Sequence, residues 1–373
     1  MKKRIAIIGG NYLQLPLVQK AQAMGIEVHC FAWEDGAVCK VIADYFYPIS
    51  IREKETILQK CIEIGIDGIT SIASDLAVLT VNYVADKMGL IGNRDMYSRI
   101  QTNKYLMRRC FDVAGVPSPR YCLVDSNDKL PELDDWQWPL IVKPTDRSGS
   151  RAVLKVDSYE QMCSAVNDAI NVSFANEAII EEFITGVEVS VESISWRGRH
   201  YVLQITDKVT TDKHFVEIAH HQPSTLSEIV KEKIRETVKK ALTAIHIEYG
   251  ASHSEIKITP SGDLYIMEIG ARMGGAFIGS HLVPLSTGYD FMKSVICLSL
   301  GIFEEPVLMF NKCSGVLFLV EETKYLKDVI DNASHYPEIV YSGRNEQDIR
   351  PAISNSDRTG YVIYQSNHRI EHF

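Results

Sequence analysis

The chain has 373 residues, 46% of them hydrophobic and 23% charged, which is the composition of a globular protein with two or three domains. Its formal net charge of −9 argues against nucleic acid or an anionic membrane as the main partner, although a local cluster of basic residues can still bind phosphates. No stretch is apolar enough to span a membrane, and the apolar run that begins at Ile5 is too short for a signal peptide.

The eight cysteines are scattered along the chain, without a Cys-x-x-Cys pair or the spacing of a zinc site. We expect them to act mainly as small buried hydrophobic residues. A reducing cytoplasm is therefore the predicted location.

The first 93 residues predict an α/β domain. Strands are expected at 5–9, 27–33 and 67–73, and helices up to about Met24, near 53–64 and near 76–88. This alternation is typical of a parallel sheet covered by helices. The loop Gly9-Gly10-Asn11 lacks the glycine spacing of a dinucleotide fingerprint, which disfavours a dehydrogenase and favours a contact with a small substrate.

Residues 94–180 predict a second unit with a helix from Asn103-Lys104 to about Ala114, strands at 121–124, 139–143 and 152–156, and a helix over about 158–170. Lys143 lies on the second strand, just before a proline that keeps its backbone extended. The loop Ser148-Gly149-Ser150 follows. Its amides and hydroxyls either close over phosphates or form a plain turn.

A third predicted unit, 181–300, begins in a strand-rich segment over 178–194. Glu188, Ser190 and Glu192 share one face of a strand, and the intervening valines share the other. The polar face is either solvated or lines a cleft for ribose and metal-bound phosphates. A long amphipathic helix is expected over 228–246 and another over about 288–300, and residues 301–373 predict an α+β tail.

The segment from Glu255 to Glu268 predicts a β-hairpin, because a Pro-Ser-Gly-Asp turn separates two alternating stretches. With Ser261 and Gly262 at the tip, 258 pairs with 265, 256 with 267 and 255 with 268, so that Glu255 and Glu268 face each other. Like charges in direct opposition destabilise a sheet, which indicates a bound cation. Two carboxylates suit Mg²⁺ shared with phosphates, with Mn²⁺ as a possible substitute, whereas the alternative is two exposed glutamates.

Beyond the hairpin, Glu268, Gly270 and Arg272 project the same way from an extended backbone. The Arg272 guanidinium is suited to grip a phosphoryl or carboxylate group, or else pairs with Glu268. Gly274-Gly275 allows a ligand to approach the main chain.

Residues 207–224 read as a polar loop that is suited to serve as a lid over a reactive intermediate. Within this loop His220 and His221 either orient substrate and move protons or are simply exposed histidines.

In their order along the chain, these features resemble the ATP-grasp enzymes. The features are Lys104, Ile-Val-Lys-Pro with its Ser-Gly loop, Glu-Glu-Phe-Ile-x-Gly-x-Glu-x-Ser-Val-Glu, the pair Glu255 and Glu268, and Glu-x-x-x-Arg-x-Gly-Gly. The resemblance covers about residues 1–300. Phe215-Val-Glu, the segment from His220 to Ser224 and Glu-Ile-Gly-Ala-Arg-Met-Gly-Gly are most similar to the L-amino-acid ligase branch.

The resemblance implies a fold, namely an N-terminal parallel-sheet domain followed by a two-lobed ATP-grasp domain and the tail. It also implies roles for individual residues. ATP phosphates would contact Lys104 and Lys143 under the loop Ser148, Gly149 and Ser150, and Glu188 would bind the ribose. The adenine edge would be held by Glu181 and Glu182 with the backbone around Phe183 and Ile184. Mg²⁺ would be held by Glu255 and Glu268, and Arg272 would hold the substrate carboxylate and its acyl phosphate, with Gly274, Gly275, His220 and His221 as further substrate contacts.

One position departs from the pattern of many relatives, which place Asn or another oxygen ligand two residues beyond the second metal glutamate. Here that residue is Gly270, so the metal relies on two glutamates and ATP. This departure leaves open whether one metal ion binds or two.

The implied reaction is ATP-dependent ligation of a carboxylate, expected to be an amino acid, to an amine through an acyl phosphate. The alternatives are an ATP-grasp ligase or carboxylase of the purine-pathway or bicarbonate-using type, and a non-catalytic nucleotide-binding protein. The expected partners are small molecules, with a homodimer possible by resemblance.

Overall fold

The structure is a computed structural model that describes residues 2–126, 130–133, 135–149, 151–211 and 216–373. Its helices are α1 (Leu15–Ala23), α2 (Lys54–Ile64), α3 (Asp75–Met88), α4 (Lys104–Ala114), α5 (Tyr159–Val172), α6 (Glu228–Ala244), α7 (Val283–Thr287), α8 (Phe291–Ser299) and α9 (Leu326–Asp331). Across these described ranges, no helix has both the length and the apolar character needed to cross a bilayer.

The strands form three sheets. They are β1 (Arg4–Ile8), β2 (Glu27–Phe31), β3 (Tyr45–Tyr47), β4 (Gly68–Thr70), β5 (Tyr121–Asp125), β6 (Leu140–Pro144), β7 (Leu154–Val156), β8 (Glu177–Glu182), β9 (Val187–Trp196), β10 (Arg199–Thr210), β11 (Glu217–Gln222), β12 (Gly250–Ile258), β13 (Leu264–Gly270), β14 (Cys313–Leu319), β15 (Ile339–Arg344) and β16 (Gly360–Ser366).

The N-terminal sheet has the order β3-β2-β1-β4, and each of its pairings is parallel. The predicted α/β architecture of this region is confirmed. The first helix begins at Leu15, because residues 11–14 form turns in which the Asn11 side chain accepts a hydrogen bond from the Leu13 amide at 2.8 Å. The loop after β1 therefore reaches outward from the carboxyl end of the sheet, where ligands of such folds bind.

The second sheet is antiparallel, in the order β5-β8-β6-β7, and α5 packs against it. Its core is made of buried aliphatic residues from the strands and the helix, including Leu140, Val142, Ile180, Met162 and Val166. This sheet carries Lys143 on β6 and Glu181 on β8.

The third sheet has eight strands in the order β13-β12-β9-β10-β11-β14-β16-β15. The strands that follow residue 312 belong to the same sheet as the hairpin, since β11 pairs with β14 and β14 with β16. The predicted mixture of α/β and α+β architecture is confirmed. The predicted domain limits of 1–93, 94–180, 181–300 and 301–373 stay a prediction.

The expected polar loop over 207–224 is wrong for the residues that the structure describes, whereas its role as a lid stays a prediction. β10 continues to Thr210 and pairs with β11, with Asp207 opposite His221 and Lys208 opposite His220. The polar residues of this segment do not show the apolar alternation that predicts strands. Their side chains are buried against other polar groups rather than against an apolar core. Residues 212–215, including Lys213 and Phe215, lie outside the described residues.

Candidate active site

A cavity of about 1540 Å³ lies where the three sheets meet. Every part of the fold contributes to its wall. The charged residues on the wall are Asp75, Lys104, Lys143, Arg147, Glu188, Lys208, Glu217, Glu255, Lys257, Glu268, Arg272, Arg344 and Arg358. The loop after β1 borders the same cavity through Tyr12 and Leu13, close to the substrate contact expected near Asn11.

Glu255 on β12 and Glu268 on β13 stand directly opposite each other, as predicted. The rest of the predicted register is wrong, because Ile256 pairs with Ile266 and Ile258 with Leu264. The shift makes Met267 an extra residue in β13, which is a β-bulge. Without the bulge strict alternation would turn Glu268 toward the core. With it, Met267 and Glu268 both line the cavity.

The carboxylate of Glu255 lies beside Lys208, a residue that the sequence analysis did not identify. The Lys208 ammonium is almost fully buried and lies 2.5 Å from Glu188, 3.0 Å from Glu255 and 3.1 Å from Glu217. Burial opposes the charge on Lys208, but the three carboxylates together hold its pKa well above the usual value. Lys208 is thus the central cation of a four-residue cluster on β9, β10, β11 and β12.

Lys104 and Lys143 both line the cavity, as predicted for residues that contact phosphates. The Lys104 ammonium lies 2.8 Å from Glu268 and donates to the Arg147 carbonyl at 2.7 Å. The Lys143 ammonium lies 2.7 Å from Glu181 and is buried, which lowers its pKa. Both ammonium groups therefore face the same space as the two opposed glutamates.

Glu181 is not on the cavity wall, and neither is Glu182. The buried Glu181 carboxylate lies between Lys143 and Arg108, whose guanidinium is 2.9 Å away and also donates to the Met267 carbonyl at 2.6 Å. The Glu182 carboxylate lies 3.8 Å from Arg120. Their side chains are thus directed at protein cations, while the segment from Phe183 to Glu188 forms the adjoining cavity wall.

Ser148 and Gly149 lie on the cavity wall, as a loop over phosphates requires. Gly149 has a φ of +70°, which a residue with a side chain adopts at a cost in strain. Ser150, the third residue of the predicted loop, lies outside the described residues.

Arg272 pairs with Asp75 at the start of α3, and not with Glu268. Its Nε lies 2.9 Å from Asp75 Oδ1 and one terminal nitrogen lies 3.0 Å from Oδ2, a two-pronged contact between domains. Gly270 is packed against this pair, since a Cβ there would lie 2.6 Å from Asp75 Oδ1. The absent side chain at 270 therefore has a steric reason.

Gly274 does not line the cavity, although Gly275 does. The Gly274 amide donates to the buried Glu192 carboxylate at 3.0 Å, and a Cβ would lie 2.3 Å from the other oxygen. Gly274 thus accommodates a protein side chain rather than a ligand.

Glu192 also contacts His253 Nδ1 at 2.5 Å, and His253 Nε2 lies 3.7 Å from Glu255. Burial opposes the charge on His253, but Glu192 raises its pKa to about 9. His253 is a second cavity residue that the sequence analysis missed. Its place on the β12 face that carries Glu255 is the signal that would have found it, because residues two apart share a strand face.

His220 and His221 are buried on β11, and neither lines the cavity. The alternative that they are exposed loop histidines is wrong, and the structure places neither of them where it could contact a substrate in the cavity. His220 Nε2 lies 3.4 Å from Glu217, and His221 Nδ1 lies 2.9 Å from the Tyr364 hydroxyl. Burial lowers the pKa of both, to about 3 for His221, so both rings are neutral near pH 7.

The donor set fits a divalent cation that takes part of its coordination from phosphates. Among the described residues, no group of three or more His, Cys, Asp or Glu side chains is arranged to hold a metal ion by itself. Two opposed carboxylates do share one cavity with two lysines. That arrangement suits Mg²⁺, which is commonly held by one or two carboxylates together with substrate phosphates.

Residues 136–280 match the family model of the ATP-grasp domain. The chain is 28% identical over 326 residues to alanine–anticapsin ligase of Bacillus subtilis (strain 168), a match that covers 78% of this chain and 66% of the relative. The chain thus spans about two thirds of the length of that relative. It is 24% identical over 286 residues to the L-arginine-specific L-amino acid ligase of Bacillus subtilis, a match that covers 74% of this chain and 68% of the relative.

The fold is similar to the crystal structure of an L-amino acid ligase from Bacillus licheniformis, with a TM-score of 0.84, 23% identity and coverage of 98% of this chain and 94% of that one. Residues 136–280 of the chain thus form an ATP-grasp domain. The relatives that are similar in sequence include alanine–anticapsin ligase and an L-arginine-specific L-amino acid ligase.

Proposed function

We propose that this chain joins the carboxylate of an amino acid to an amine, with ATP converted to ADP and phosphate. The observation that carries the proposal is the meeting of Glu255, Glu268, Lys104, Lys143 and Arg272 on one cavity. Opposed carboxylates and convergent cations are what phosphoryl transfer to a carboxylate needs.

In the proposed reaction a substrate carboxylate oxygen attacks the γ-phosphorus of ATP, and ADP leaves with the electrons of the broken bond. The amine nitrogen then attacks the acyl carbon, phosphate leaves with the electrons of the acyl C–O bond, and the nitrogen loses a proton to the departing phosphate or to water to give the amide. Lys104 and Lys143 neutralise phosphate charge, and Arg272, positioned by Asp75, stabilises the acyl phosphate oxygens. A bound Mg²⁺, held by Glu255 and Glu268, supplies further neutralisation of phosphate charge.

The remaining parts of the proposal concern the contacts with ATP, the metal ion, the assembly of the protein and its location. Ser148, Gly149 and Ser150 close over the phosphates, the segment Phe183–Ile184 borders the adenine and Glu188 binds the ribose. Mn²⁺ is proposed as a substitute for Mg²⁺, since it takes the same oxygen ligands. The protein is also proposed to form a homodimer and to have domains at 1–93, 94–180, 181–300 and 301–373. Its proposed location is a reducing cytoplasm, in keeping with its eight free cysteines.

The test is phosphate release from Mg-ATP across a panel of amino acids, singly and in pairs, with Glu268→Gln as the control. Release that needs a pair and disappears in the variant supports the proposal. Absence of release with every pair, despite a rise in melting temperature with nucleotide, would place the substrate outside the amino acids. Absence of both would overturn the assignment as an enzyme.

A further inference from the structure

One section of the cavity wall is aromatic and carries none of the groups assigned to ATP or metal. It consists of Phe277, His281, Phe318 and Tyr361, here called the aromatic wall. Phe277 is at its centre, with ring centroids 4.5 Å from Tyr361, 5.2 Å from His281 and 6.3 Å from Phe318. All four residues border the open space of the cavity, and none of them contacts Lys104 or Lys143, the cations that are proposed to bind the phosphates.

The backbone at the aromatic wall is held in an unusual conformation. Ala276 and Phe277 have φ values of +48° and +66°, the left-handed region that favours glycine. The π-helical turn Ile278–Leu282 follows at once, with the Leu282 amide bonded to the Phe277 carbonyl at 3.0 Å. Strained residues and π-turns are concentrated at functional sites, where the surrounding structure maintains them. The result here is that a large ring is presented to the cavity.

A series of contacts connects the aromatic wall with the proposed reaction centre. The Arg358 guanidinium is 3.9 Å from the Phe318 ring centroid and 2.9 Å from Glu217, which itself contacts Lys208. Lys208 in turn contacts Glu255. Arg272, the proposed anchor of the substrate carboxylate, and Phe277 line the same cavity, so the side chain of a substrate held by Arg272 has the aromatic wall within reach.

The electrostatics of the aromatic wall favour a neutral occupant. Arg358 already covers the Phe318 ring, so a further cation there would meet a like charge. Burial lowers the pKa of His281, which keeps that ring uncharged near pH 7. A carboxylate would lose its hydration against the rings and would compete for the Arg358 guanidinium with Glu217 and Asn355, to which one of its terminal nitrogens already donates.

We infer that the aromatic wall is the side-chain pocket for one of the two substrates, and that this substrate is an amino acid with a large apolar or aromatic side chain. The inference rests on the proposed function and narrows its substrate class. Ring-to-ring contacts are worth more than the area they bury, so phenylalanine and tryptophan fit better than leucine, and leucine better than alanine.

The experiment measures kcat and KM for phosphate release by the full chain at saturating Mg-ATP, with one amino acid fixed and the other varied. The varied series is alanine, leucine, methionine, phenylalanine, tryptophan, lysine and glutamate. The expected kcat/KM is at least about 10-fold higher for phenylalanine than for alanine, the discrimination that a few methylene groups provide. Mass spectrometry of the product shows which end of the amide carries the large residue.

Phe277→Ala is the variant that tests the pocket, and Phe277→Leu is its matched control because it keeps apolar volume. Phe277→Ala is expected to raise KM for phenylalanine about 10-fold or more while kcat and the alanine reaction change little. Phe277→Leu is expected to retain most of the preference. An unchanged rise in melting temperature with Mg-ATP shows that each variant is folded.

Two negative outcomes are distinguishable. If amino-acid pairs support turnover but small or charged residues are preferred, and Phe277→Ala leaves the preference unchanged, the pocket inference is overturned and the ligase stands. If no amino-acid pair supports turnover, both the proposed function and the pocket inference fail.

Discussion

Gly270 and Asp75 are so close that a Cβ on Gly270 would lie 2.6 Å from the Asp75 carboxylate. Asp75 belongs to the N-terminal domain and holds Arg272 through two contacts. The glycine is therefore a packing requirement of the contact that positions Arg272, and it explains why the oxygen ligand expected by resemblance is missing.

We predict that Gly270→Asn lowers activity instead of adding a metal ligand. The new side chain must displace Asp75 or Arg272, so kcat/KM is expected to fall about 10–100-fold, as misplacement of a reacting group commonly costs. Steady-state kinetics with Mg²⁺ titration is the measurement. Asp75→Asn, which weakens the same contact without adding bulk at 270, should show a loss in the same direction. Tighter Mg²⁺ binding with retained activity in Gly270→Asn would show that the steric argument is wrong.

Replacement of Lys208 by methionine is predicted to destabilise the protein by about 3–5 kcal/mol, because three carboxylates lose their shared cation. Urea unfolding measures the loss. Lys239→Met, at an exposed helix pair, serves as the control and should change stability by less than about 0.5 kcal/mol.

Millimolar Mg²⁺ should also restore part of the stability of Lys208→Met and raise its melting temperature more than that of the wild type, because the cluster is then short of a positive charge. Equal responses of the two proteins to Mg²⁺ would count against a shared site for Lys208 and the metal.

The raised pKa of His253 predicts a pH dependence of stability. Its pKa is about 9 in the folded protein against an ordinary value of 6.5. A group with a raised folded pKa stabilises fully below its unfolded pKa, and that stabilisation is lost as pH rises through the folded pKa. Unfolding free energy should therefore fall by about 1–3 kcal/mol between pH 6.5 and 9.5. The measurement is urea unfolding across that range. Glu192→Gln, which removes the carboxylate beside His253, should flatten this part of the profile.

Removal of divalent cations is predicted to abolish turnover. With excess EDTA the two opposed glutamates repel the phosphates, so both phosphate release and the nucleotide-dependent rise in melting temperature should disappear. Added Mg²⁺ should restore both. Glu268→Gln should lower kcat about 10²–10³-fold even at saturating Mg²⁺, the cost of one lost charge-stabilising group. Full activity in EDTA would contradict the assigned roles of Glu255 and Glu268.

The sequence predicted the structure correctly where the types of side chain and their spacing both indicate the same element. The parallel N-terminal sheet, the helix that begins at Lys104 and the opposition of Glu255 and Glu268 could all be predicted, since each depends on local pattern. The bulge at Met267 could not, because a single extra residue leaves no mark in the alternation of a short strand.

Buried polar contacts were the second source of error. β10 and β11 looked like a polar loop because Lys208, Glu217 and His220 are buried beside one another inside the protein. The partner of Arg272 could not be predicted either, since Asp75 is 197 residues away in sequence. Such pairings depend on the packing of whole domains, which sequence spacing does not encode.

The position of β11 between β10 and β14 also determines how late this strand can be fully paired during synthesis of the chain. β11 carries Glu217, yet one of its edges stays unpaired until β14 has been synthesised, about 100 residues later. At ordinary rates of translation that interval is roughly 5–20 s. During that time an unpaired strand edge beside a cluster of buried charges is exposed to solvent and to other chains. Synthesis of the last strands thus both completes the site and ends the period in which the nascent chain is most prone to aggregate.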